Sequence, residues 1–177
     1  MGTDDGVRGW LRRHGAEQIA HPGGTLYAHL CRVGDRLAAL GCAHDVQAAG
    51  LAHAAYGTDG FDLALLDRAD RAVLRDLVGS EAEEIVYLYG ACDRKRSWRK
   101  LAETGQVFDR FTGQVSTPDT ARLRSFTDLS IVNELDVVEQ DPTVAARHGA
   151  YLRELFASWT PLASAQVSRD AQRVLGW

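Results

Sequence analysis

Two histidines 24 residues apart, His29 and His53, are the pair in this chain best suited to move a proton. An imidazole takes or gives a proton near neutral pH, and two of them can divide the acid and base roles. Asn133 adds an amide that can orient a carbonyl or steady a developing oxyanion. Tyr56 and Thr58 bring hydroxyls just after His53, and His21 lies eight residues before His29 in a segment able to fold over a pocket mouth. Arg94, beside Asp93, and Arg110 are candidates for anchoring an anionic substrate group. Each residue also has a plainer reading. A lone inward histidine commonly hydrogen-bonds a backbone carbonyl, and Asn133 can brace a helix packing. Tyr56 and Thr58 fit helix termination. Arg94, Lys95, Arg96, Arg99 and Lys100 together read as a solvated basic face.

The elements that must carry these residues are helical. A short helix is predicted around residues 6–14. Thr25 then opens a helix in which Leu26, Leu30, Val33, Leu37 and Leu40 recur at three- and four-residue intervals, with His29 at the edge of the stripe and Gly41 as the stop. Asp45 is placed to cap a following alanine-rich helix, 46–56, whose inward stripe includes His53. Residues 63–78 read as one helix or two with a bend, and Ser80 with Glu83 as a capping box for a helix over 81–92. Val107, Phe108, Phe111 and Val115 around Asp109, Thr112 and Gly113 suggest a β-hairpin within 106–117. A long helix to about Glu139 puts Asn133 in the stripe of Phe126, Leu129, Ser130 and Val137. Two more follow, ending near Trp159 and Leu175. Burying His29, His53 and Asn133 unpaired costs on the order of 1–3 kcal/mol each, so partners are required.

Composition sets the limits. With 45% hydrophobic and 25% charged residues in 177, the chain can bury a sizeable core as one compact domain, 1–177. Its net charge of −4 speaks against a nucleic-acid partner. Cys31, Cys42 and Cys92 form no C-x-x-C pair, which leaves neither a zinc knot nor a disulfide framework and points to a reducing cytoplasm. No apolar run is long enough to span a membrane, and residues 1–13 do not read as a signal peptide. Trp159, Leu162, Val167 and Trp177 either cap the core or meet a second subunit, so the oligomeric state is open.

The runs Thr25-Leu26-Tyr27-Ala28-His29-Leu30, Ala49-Gly50-Leu51-Ala52-His53-Ala54-Ala55-Tyr56-Gly57-Thr58 and Val132-Asn133 together resemble the HD-domain superfamily. With His21-Pro22-Gly23-Gly24 in front, they are most similar to a small uncharacterised branch in which the His-Asp signature is altered. The resemblance covers roughly residues 18–140 and implies an all-α, HD-like domain with the small hairpin inserted. It also implies a metal site whose carboxylates this chain lacks, since Ala54 stands at the position of the paired aspartate and Asn133 at that of the late one. Two imidazoles and an amide suit Mg²⁺ or Mn²⁺ poorly. Asp128, five residues before Asn133, falls on another sector of that helix, which leaves Asp93, Glu83 or Glu84 as the carboxylates available as substitutes. A set of His21, His29, His53 and one of these would suit iron or zinc. The literal His44-Asp45 falls at a helix start and is read as a cap.

Three functions follow. The favoured one is a metal-free, cofactor-free enzyme on a small molecule, an isomerase, cyclase, lyase or hydrolase working through His29, His53 and Asn133. The second is a metal-dependent HD phosphohydrolase or oxygenase with replaced ligands. The third is a degenerate HD fold kept as a binding module.

Overall fold

A computed structural model describes residues 3–177. The protein is predominantly all-α with two small two-stranded sheets. It forms two compact units, one up to Ala91 and one from Cys92 to Trp177.

The first unit opens with helix α1, Thr3–Arg13, whose Val7, Trp10 and Leu11 are buried. Strands β1, Ala20–His21, and β2, Gly24–Thr25, pair as a tight hairpin across Pro22-Gly23. Gly23 sits at φ 81°, so Pro22 supplies the fixed φ and Gly23 the left-handed step of the turn. Helix α2, Leu26–Ala39, starts at Thr25, whose hydroxyl accepts from Ala28 N at 3.1 Å. Helix α3, His44–Ala52, has no side-chain cap. Asp45 lies inside its first turn, where a carboxylate complements the helix dipole rather than capping it.

Residues 53–67 turn and loop instead of forming the start of a helix. A short 3-10 turn, Arg68–Asp70, leads into helix α4, Arg71–Val78. Helix α5, Ser80–Ala91, closes the unit. The expected capping box there is absent: the Glu83 side chain turns inward and is wholly buried.

Helices α2 and α3 pack closely at two glycines. A Cβ on Gly34 would lie 2.7 Å from Leu51 Cγ, and one on Gly50 would lie 2.5 Å from Leu37 Cδ1 and 3.3 Å from Gly34 Cα. Only hydrogen fits at this crossing, so the two backbones meet at the separation that glycine allows.

The second unit has helical turns that periodicity did not reveal: α6, Arg94–Ser97; a 3-10 turn, Trp98–Lys100; and α7, Leu101–Thr104. Strands β3, Val107–Phe108, and β4, Val115–Ser116, form the expected hairpin. Helices α8, Thr120–Gln140, and α9, Pro142–Ser158, take Asp119 and Asp141 as N-caps. Helix α10, Ala165–Leu175, is fastened by Asp128, which accepts from Ser164 N at 2.8 Å. Burial pushes the Asp128 carboxyl above its usual range against the Ser164 hydrogen bonds that oppose it. Among the described residues, no helix is long and apolar enough to cross a membrane.

Candidate active site

His29 and His53 meet. His29, one turn into α2, and His53, the residue that ends α3, place their Nε2 atoms 3.3 Å apart, and both are almost fully buried. His53 Nδ1 lies 2.7 Å from the Gly50 carbonyl. That carbonyl belongs to the last turn of α3, where backbone donors run out, and the ring supplies one. A carbonyl oxygen can only accept, so His53 Nδ1 carries a hydrogen. Neutral His53 then presents a bare lone pair at Nε2, and the proton in the Nε2–Nε2 contact belongs to His29. The two ring nitrogens thus face each other across one short buried contact.

Three further rings complete the cluster. His21 stacks on His29 with centroids 4.0 Å apart and planes inclined by 25°, and Phe61 meets His21 edge-on at 5.5 Å. Tyr89, on α5, meets the edge or face of His53 at 5.1 Å and 78°. Arg32, one turn beyond His29, donates to the Pro22 carbonyl at 3.2 Å and so ties the β1–β2 hairpin down over α2. The His-Pro-Gly-Gly segment is thus a structured arm that lays His21 on the pair.

The residues after His53 hold its end of α3 in place. The Tyr56 hydroxyl donates to Glu83 Oε1 at 2.7 Å. Arg71 clamps both Glu83 oxygens, at 2.7 and 2.8 Å, and Arg75 adds a contact at 3.2 Å. Burial raises the Tyr56 phenol, and Glu83 beside it raises it further. For Glu83 itself burial works upward, but the Arg71, Tyr56 and Arg75 hydrogen bonds win and hold the carboxyl below its usual range. Thr58 exchanges two backbone hydrogen bonds with Phe61, at 3.0 and 2.8 Å, closing a tight loop. Gly90 lets α5 pass this turn: a Cβ there would lie 2.9 Å from the Gly57 carbonyl.

Asn133, Arg94 and Arg110 belong to the second unit. Asn133 Nδ2 and Arg94 Nη1 both donate to Glu134 Oε1, each at 2.9 Å, and Arg94 also lies over the Trp98 ring. Arg110, between β3 and β4, lies over Phe111. The basic run is largely engaged with aromatic faces, Arg96 on Phe108 and Arg99 on Tyr151.

Sequence reasoning missed Glu83 as a buried anchor and Tyr89 as the ring against His53. A signal for Glu83 was there: it shares a helical stripe with buried Val86 and Gly90, and Arg71 and Arg75 one turn apart supply its counter-charge.

Residues 10–94 match a family described as a domain of unknown function, DUF6817. The match takes in His21, His29, His53, Tyr56, Thr58 and Glu83, while Arg110 and Asn133 lie outside it. No curated protein and no solved structure matches the chain.

The donor set bears on the metal that the HD resemblance implies. The 3.3 Å between the Nε2 atoms is close to the edge of a zinc tetrahedron with bonds of about 2.0–2.1 Å. Two imidazoles are half of such a set, however. Among the described residues no group of three or more His, Cys, Asp or Glu is placed to hold an ion. Ala54 offers no donor, and the Asn133 amide is engaged with Glu134. The residues do not fit the carboxylate-rich centre of a metal-using HD enzyme.

Proposed function

We propose that this chain is an HD-like enzyme that acts on a small organic molecule by histidine acid–base chemistry without a metal. The observation that carries the reading is the buried His29–His53 contact, with its outer end fixed by the Gly50 carbonyl. That arrangement gives a proton donor and a proton acceptor in line, oriented before substrate arrives. Positioning of this kind is what makes a general acid or base effective, typically by 10²–10⁴-fold. His29 is the exchanging acid or base, His53 is its proton partner, and His21 covers the ring of His29. Reactions that shift a proton within one molecule or eliminate a leaving group match such a pair: an isomerase, cyclase or lyase, with hydrolysis as a further member of the class.

Turnover of a panel of small carbonyl compounds and hydroxy acids by the purified chain tests this, with His53→Gln and His29→Gln as controls. The reading predicts an activity that falls by about 10²–10⁴-fold in either variant and survives exhaustive treatment with chelator. Stoichiometric, tightly held metal in the active protein would overturn the metal-free account and favour the metal-dependent alternative. A folded His53→Ala variant that keeps full biological activity would favour a binding module instead.

A further inference from the structure

The second unit carries a cleft of about 130 Å³, lined by Arg99, Tyr151, Glu154, Leu155 and Ser158. Its two charged residues differ from their neighbours. Arg94 is paired with Glu134, and in the first unit Arg8, Arg71 and Arg75 are all paired with carboxylates. Among the described residues Arg99 has only the face of Tyr151, with its Cζ 4.9 Å from the ring centroid. Glu154, one turn along α9 from Tyr151, has no cationic partner among the described residues. Ser158 is bound to the Leu155 carbonyl at 2.6 Å, and Leu155 is a buried apolar floor. Among the described residues, an unpaired guanidinium and an unpaired carboxylate thus border one hollow of mixed lining without reaching each other.

We propose that this cleft binds a free α-amino acid in its zwitterionic form. Arg99 takes the carboxylate with the planar fork that suits two parallel N–H···O bonds, and stacking on Tyr151 holds that fork in place. Glu154 takes the ammonium group. A small side chain rests on Leu155. The charge pair selects the ligand class: a simple anion is repelled by Glu154, and a simple cation is repelled by Arg99. Size agrees, since the volume is well under the roughly 300–1,000 Å³ of pockets for drug-sized molecules. Because both charges face water, binding is expected in the millimolar range.

The test is an NMR titration of the full chain with L-valine, L-valinamide and N-acetyl-L-valine, following the Arg99 side chain and the amides of residues 150–158. The proposal predicts saturable shifts with L-valine and binding at least about tenfold weaker for each blocked compound. Arg99→Gln and Glu154→Gln, both at exposed positions, should each abolish the L-valine response while leaving the rest of the spectrum in place. The absence of a saturable shift would overturn the proposal, as would equal binding of the blocked compounds or undiminished binding by either variant.

Discussion

Glu83 shows what single side chains do in this protein. Its carboxylate is fully buried and receives four hydrogen bonds, from Tyr56, Arg71 and Arg75. Its arginine partners are partly exposed and also reach Glu84, so losing the carboxylate costs no more than the low end of the roughly 3–5 kcal/mol of a fully buried pair. Glu83→Ala should lose about that much in chemical denaturation. Glu83→Gln, which still accepts from Tyr56, should lose less, about 1–3 kcal/mol. The pH dependence has a definite sign. The folded carboxyl is held below its ordinary value, so its stabilising contribution is complete above the unfolded-state value and declines as pH falls through the folded one. Denaturation between about pH 5 and pH 3 should therefore show a steeper acid loss in the wild type than in Glu83→Gln. Equal slopes would contradict this role. Tyr56 and Thr58 looked from sequence like hydroxyls for a substrate. The structure gives the Tyr56 hydroxyl to Glu83 and the Thr58 backbone to a tight loop, because a turn just after a helix end has its own polar groups to satisfy.

The distance between His29 and His53 is set by elements. Helices α2 and α3 cross at Gly34 and Gly50, and the histidines project from the same pair of helices. Gly34→Ala would bring a Cβ to 2.7 Å from Leu51 Cγ, and Leu51 is itself buried. Alanine favours a helix by about 1 kcal/mol over glycine. Overpacking a closed core costs about 1–3 kcal/mol, so the clash should dominate and thermal unfolding should shift downward by a few degrees. The same variant should lengthen or break the Nε2–Nε2 contact, seen as altered His29 and His53 ring shifts in NMR. An unchanged melting temperature and unchanged ring shifts would show that the crossing does not set the site. The strongly periodic elements α2, α8 and the two final helices were legible in sequence, along with the β3–β4 hairpin, because each has an apolar stripe or turn residues of its own. Residues 53–67 were not, since their loop is held against α5, Tyr56 on Glu83 and Gly57 beside Gly90, by contacts remote in sequence. Residues 94–104 hid three short turns in a run of charges, where no stripe of useful length exists. The His21 hairpin, similarly, depends on Arg32 reaching back from α2.

Taken whole, the molecule has two compact units. In the first, α2, α3 and α5 hold the histidine cluster and the Glu83 network. In the second, α8 is buried along much of its length, and only Leu152, Leu155 and Phe156 are buried on α9. Protection from hydrogen exchange follows burial and packing. The slowest amides are expected in α2, α3, α5 and the middle of α8. Fast exchange is expected over 57–70 and in the first two turns of α9. Native-state exchange read by mass spectrometry checks this, and protection of 57–70 equal to that of α3 would contradict the packing described. At this scale the sequence conveyed the helical class from composition and periodicity. It conveyed less of the site, because pairings such as Tyr56 with Glu83 join residues far apart in the chain.

If His29 and His53 act as the one oriented proton-transfer pair proposed above, the tautomer of each ring is fixed. Long-range proton–nitrogen NMR correlations on the nitrogen-labelled protein at neutral pH report which ring nitrogen carries hydrogen. His53 should carry hydrogen at Nδ1 with a bare Nε2, and His29 should carry hydrogen at Nε2. A His53 ring with hydrogen on Nε2 and a bare Nδ1 would contradict it, because the bond to Gly50 that orients the pair could not then exist.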